Sequence, residues 1–252
     1  MSTWNSRFTA IYFLSALLAI TFLLNNLKVG FYIFNLCTLP ILMIGLILKF
    51  KKNNHSLMPL MIVAIFFSFL GDILMLPDIE INLFKTIGIC TFIVAQTFYG
   101  LLYIKSSKLG IRKANTRLTQ FWPECLTIII LGINAWVILS YTNDLFIPSL
   151  FYSVIGIGAF VLALSRRFFV RCNSFYIVFI GALLFIFSAS ITGLDFYSKN
   201  PLRHGASILI YTFAHYLVSY GILLQIQIQE APGDHVQSHV QKKSLIKNRN
   251  GF

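Results

Sequence analysis

Charge is what this chain has least of. Asp, Glu, Lys and Arg together make up 11% of its 252 residues, against roughly 25% in an ordinary soluble domain. So few charged side chains cannot coat a water-facing surface, and a soluble globule is excluded. Cysteine is sparse too: Cys37, Cys90, Cys125 and Cys172 stand singly, with no C-x-x-C. That excludes a disulfide framework or a zinc cluster, and the four read as small apolar packing residues. Also missing are a Gly-rich phosphate loop, a G-x-S-x-G nucleophile turn and an H-E-x-x-H metal pair. Phosphate-cradling, serine-hydrolase and zincin chemistry therefore have no carrier. His235 and His239 lie four apart with no further ligand nearby, so no metal and no other cofactor is expected.

What the chain does have is hydrophobic length. Apolar residues reach 57%, mean hydropathy is +0.78, and apolar runs of about 18 to 23 residues recur, the length that crosses a bilayer. The 25 Phe and 11 Tyr suit lipid-facing surfaces and interfacial belts. About eight spans are read: 8–26, 30–48, 57–76, 83–104, 124–142, 146–165, 175–194 and 205–226. The first lacks a small-x-small cleavage site and runs straight into Asn25-Asn26, so it is kept as a membrane helix. The expected class is all-α: a polytopic membrane helix bundle over 1–228, followed by a basic, disordered cytoplasmic tail over 229–252.

The net charge of +12 is distributed as topology requires. Positives gather in 49–56, 105–123, 166–173 and the tail, while the intervening loops hold few. Such alternation fits an even number of helices with both termini cytoplasmic. It points to anionic headgroups as the electrostatic partner, and no nucleic acid is expected. The loops are short, so no large soluble partner is implied.

Against this background, single polar residues at membrane depth carry the information. An ionisable group in mid-span costs about 2.5–3.5 kcal/mol and needs a partner or a cavity. "FFSFLGDILML" (Phe66–Leu76) holds Asp72, about 22 Å along the third span at 1.5 Å per residue. Asp72 is either an aspartate reaching the outer interface or the centre of a site. Ser68 lies one turn earlier on the same face, and Gly71 would permit a close helix approach. Ser188, at a matching depth in the seventh span, and Ser190 either bond their own backbone or share a site with Asp72. Asp195 is read as a solvated rim residue. His215 in the eighth span bonds a neighbouring helix or moves protons. Gln96 and Tyr99 share a face of the fourth span, and Asn35 marks the second. Acid–base work by a desolvated carboxyl is the chemistry this inventory supports best.

These residues carry a resemblance. "FFSFLGDILML", "AQTFY" (Ala95–Tyr99), "GALLFIFSASI" (Gly181–Ile191) and "YTFAHYLVSYG" (Tyr211–Gly221), in this order on eight spans, resemble the YhhN-like lysoplasmalogenase family, as a divergent member. F-S-x-x-G-D is the most specific element. The resemblance implies an integral membrane hydrolase in a bacterial inner (cytoplasmic) membrane. Its substrate would be a lysophospholipid-like membrane lipid, whose vinyl ether bond is cleaved to a fatty aldehyde and a glycerophospho-alcohol. It implies two membrane aspartates, the first falling on Asp72. The second would follow Ser188, where this chain has Ala189; a family His falls on Gln96 and a family Lys on Asn35. The resemblance therefore implies Asp72 as the acid, with His215 as auxiliary base in place of the missing carboxyl. Ser68, Asn35, Gln96, Tyr99, Ser188 and Ser190 would line the substrate site. The alternatives are a catalytically inactive lipid-binding membrane protein, favoured by the three departures, and a small-solute transporter.

Overall fold

In a computed structural model, residues 6–52, 55–76, 82–110, 118–195 and 200–230 are described. They form eight α-helices, with no strand among the described residues. The helices are α1 (Ser6–Leu24), α2 (Lys28–Lys52), α3 (Met58–Leu74), α4 (Asn82–Lys108), α5 (Trp122–Leu139), α6 (Phe146–Ser165), α7 (Cys172–Asp195) and α8 (Pro201–Glu230). Each lies close to an expected span. The tail expected over 229–252 falls outside the described residues from 231 onward.

Seven helices are long and apolar enough to cross a membrane. The eighth, α3, has 17 residues and would extend about 25 Å, short of a hydrocarbon core of about 30 Å. Pro59 sits in its first turn, where a missing N–H costs nothing. At its other end α3 stops at Leu74, two residues before the expected limit, so Asp72 occupies the last turn.

The helices close into a ring. Each of α1, α2, α3, α4, α6, α7 and α8 packs on the next, and α8 returns to α1. α5 lies outside, against α6 and α7. Its Ile129, Ile133 and Trp136 are exposed, as a lipid-facing helix requires, and its buried residues are only Glu124 and Leu139. The tightest contact is α7 on α8. A Cβ on Gly181 would stand 2.9 Å from the Val218 backbone nitrogen, and one on Gly221 would stand 3.1 Å from that of Val178. Reciprocal glycines thus set the close approach, the small-residue packing that lipid-embedded helices use.

The basic ends meet one another. Lys105 Nζ donates to the Ser56 carbonyl at 3.0 Å, and His55 Nε2 lies 3.1 Å from Gln229 Oε1. Arg167 pairs with Glu124 at 2.8 Å. Glu124 lies in the first turn of α5, where a carboxylate also meets the favourable end of the helix dipole.

Candidate functional site

The interior of the ring is lined from six helices. Asp72 (α3) is half-buried. Beside it is Tyr211 of α8, whose hydroxyl lies near both Ser68 and Asp72 without closing either contact to full hydrogen-bond geometry. The Tyr152 hydroxyl of α6 lies within electrostatic reach of Asp72 and has Gln96 of α4 beside it. Tyr12 of α1 is also within electrostatic reach, while its hydroxyl donates to the Thr212 carbonyl at 2.9 Å. Three phenols, of Tyr12, Tyr152 and Tyr211, are therefore near this carboxyl group. Gly71, beside it, gives its space to the Phe92 ring of α4: a Cβ there would approach the ring to 2.7 Å.

Behind Tyr211 sits His215, fully buried. The two rings meet edge to face at 4.4 Å, as expected for side chains one turn apart. His215 Nδ1 and the Tyr99 hydroxyl share a hydrogen bond of 2.9 Å, and Phe185 of α7 closes over the imidazole at 4.7 Å. The other ring nitrogen, Nε2, is buried with no protein partner. Asp72, Tyr211, His215 and Tyr99 thus form a continuous run of side chains from α3 through α8 to α4.

Of the residues singled out from sequence, Asp72, Ser68, Gln96, Tyr99 and His215 converge on this run. Ser188 does not join it: its hydroxyl donates to the Ser207 carbonyl at 3.0 Å. Thr192 joins Ser207 at 2.6 Å, so these three form a separate hydroxyl knot tying α7 to α8. Ser190 turns to the opposite side and donates to Asn134 Oδ1 of α5 at 2.9 Å. Asn35 is half-buried on α2, and no hydrogen bond joins it to the run among the described residues. The Asp195 side chain lies outside the described residues.

Sequence reasoning missed Tyr12, Tyr152 and Tyr211. Tyr211 had a signal, since it stands four residues before His215. Tyr12 and Tyr152 had none, because in a tyrosine-rich membrane chain a phenol reads as an interfacial anchor.

Arg166 needs a correction. Its position in the basic segment 166–173 reads as a solvated loop charge, but it is 0% exposed. Nε donates to Ser106 Oγ at 2.8 Å, and Nη2 donates to Gln225 Oε1 at 2.9 Å. Tyr103 stacks under the guanidinium at 5.9 Å. No carboxylate is among its described partners. A rigid fork of donors can be satisfied by neutral oxygens arranged around it, which a sequence does not reveal.

A bundle with seven membrane-length helices, holding a carboxyl group near phenols and an imidazole, defines a polytopic membrane protein with polar groups at membrane depth. The YhhN family profile matches residues 30–222, and the chain belongs to the YhhN family. Comparison with curated proteins and with solved structures returned no match.

Proposed function

We propose that this protein is a membrane hydrolase of vinyl ether lysolipids, with Asp72 as its acid. The observation that carries this reading is the placement of Asp72 inside the ring, facing the Tyr211 hydroxyl with His215 behind it. Vinyl ether hydrolysis begins with a proton delivered to the alkene carbon, which leaves an oxocarbenium ion. Water adds to that ion, and the hemiacetal collapses to an aldehyde and an alcohol. Asp72 would give the proton, and its carboxylate would then stand beside the cation it has created. Such general-acid help contributes ~10²- to 10⁴-fold. The family's second carboxyl is absent here because the position is Ala189, and Tyr211 supplies a hydroxyl that can hold the attacking water and pass its proton back to Asp72. The proposed location is the inner membrane of a bacterium, which rests on the family resemblance and the basic loops.

The test is aldehyde release from a lysoplasmenyl lipid by purified protein and by Asp72→Asn. Turnover unchanged by the substitution removes Asp72 from the mechanism. The replacement of the second aspartate by Ala189 favours a second reading, a lipid-binding protein without catalysis. It predicts that the same lysolipid binds and that no aldehyde appears from either protein.

A further inference from the structure

Buried polar atoms without a protein partner are rare in folded proteins, and each calls for an explanation. Here they are not scattered. Tyr211 Oη, His215 Nε2 and Ser219 Oγ have no partner, and neither do Ser107 Oγ and Arg166 Nη1. The remaining two among the described residues, Glu124 Oε1 and Arg167 Nη1, belong to one ion pair. Tyr211, His215 and Ser219 follow one another at single-turn steps on α8, so they lie on one stripe. Tyr99, Tyr103 and Ser107 do the same on α4. The two stripes are joined across the ring by polar side chains: Tyr99 to His215, and Ser106 to Gln225 at 2.6 Å. α4 packs mainly on α3 and α6, and α8 mainly on α7, so side chains rather than close backbones span this gap.

The lower end of the stripe is the Arg166 shell at the basic end of the bundle. Two of its members, Ser174 and Gln225, also line a surface cleft with Arg171 and Gln229, whose volume of about 10 Å³ is close to that of one water site. From Tyr211 to Gln225 α8 rises about 21 Å at 1.5 Å per residue. The groups along it are hydroxyls, an imidazole, an amide and one guanidinium. Among the described residues of the stripe between Tyr211 and Gln225, no carboxylate holds an inorganic cation, and Arg166 repels it. Water, which donates and accepts, satisfies every one of these groups.

We propose that the polar stripe between α4 and α8 is a hydrated file, running from Arg166 and Gln225 past Ser219 and His215 to Asp72, and that it carries water and protons to that carboxyl group from the basic end. Its use in catalysis rests on the hydrolase reading, since each vinyl ether cleaved consumes one water. Its existence does not.

Water-edited solid-state NMR on the protein in lipid bilayers reads the file directly. The ring nitrogens of His215, assigned by their loss in His215→Gln, should take up polarisation from water several-fold faster than the methyl of Ala163, which is 0% exposed in the apolar core. Ser219→Leu should slow His215 to the Ala163 rate. Ser107→Leu, which replaces the unpartnered hydroxyl of the α4 stripe, should do likewise and decides the matter where the first variant does not fold. A His215 build-up as slow as that of Ala163 in the unsubstituted protein overturns the file. A fast build-up that survives both leucines overturns the route, because water would then arrive from the Asp72 side. A hydrated His215 in a protein that releases no aldehyde retains the file and removes the hydrolase reading.

Discussion

At the scale of single residues, two ionisable groups inside the bundle stand apart, Asp72 in the proposed chemistry and Arg166 in folding. Asp72 has the Tyr211 hydroxyl beside it, and in the proposed reaction it is the acid. Asp72→Asn keeps the volume and removes the acid, so aldehyde release should fall by ~10²-fold or more while the thermal unfolding midpoint stays close to that of the parent. Tyr211→Phe removes one hydroxyl contact to the same carboxyl. In the proposed reaction that hydroxyl holds the attacking water, and losing one such hydrogen bond, roughly 1.4 kcal/mol, corresponds to about a tenfold drop in turnover, read in the same assay. Arg166 is the structural counterpart. Its guanidinium organises Ser106, Ser174 and Gln225 from the 3₁₀ turn that follows α6. Arg166→Ala leaves those acceptors unpaired above a cavity and should cost about 3 kcal/mol or more, seen as a lower unfolding midpoint in detergent. Arg166→Lys should recover only part of the loss, because an ammonium cannot present the same planar fork.

At the scale of elements, α7 and α8 form the most closely packed pair of the ring. Gly181 and Gly221 each face a valine backbone of the other helix, so an added methyl has nowhere to go. Gly181→Ala and Gly221→Ala should each destabilise by roughly 1–3 kcal/mol, the usual cost of overpacking. Gly156 of α6 provides the contrast. A Cβ there meets nothing within 4 Å, so Gly156→Ala should be neutral or add about 0.5–1 kcal/mol through helix propensity. Thermal unfolding of the three variants side by side checks the sign. On the opposite wall, α3 is the short element, and its early stop places Asp72 in a last turn, where α4, α6 and α8 can reach it.

At the scale of the whole molecule, the distribution of charge orients the ring. The ends carrying Lys105, Arg167 and Arg171 should face the cytoplasm. Cys172, exposed at the start of α7, should then react with a membrane-impermeant maleimide only in inside-out vesicles. A cysteine placed at exposed Lys28, tested with the native cysteines replaced by serine, should react only in right-side-out vesicles. The opposite pattern would invert the topology and place the mouth of the proposed file outside the cell.

Helix number, order and approximate ends were legible from the chain because each span must satisfy its own backbone in lipid. An apolar run of sufficient length therefore declares itself without reference to any neighbour. Asp72 and His215 were legible for the related reason that a polar group at depth is conspicuous. Their meeting through Tyr211 was not, nor was the departure of Ser188 and Ser190 to other partners. Which face of an apolar helix turns inward depends on ring closure and on close approaches such as Gly181 against Val218, and hydropathy is nearly the same on every face. The same holds for Arg166, whose charge reads as a loop signal until tertiary packing surrounds it with neutral oxygens. Lipid solvation determines the spans locally, residue by residue along the sequence. The polar interior is decided by side chains brought together from six helices, which only the folded ring specifies.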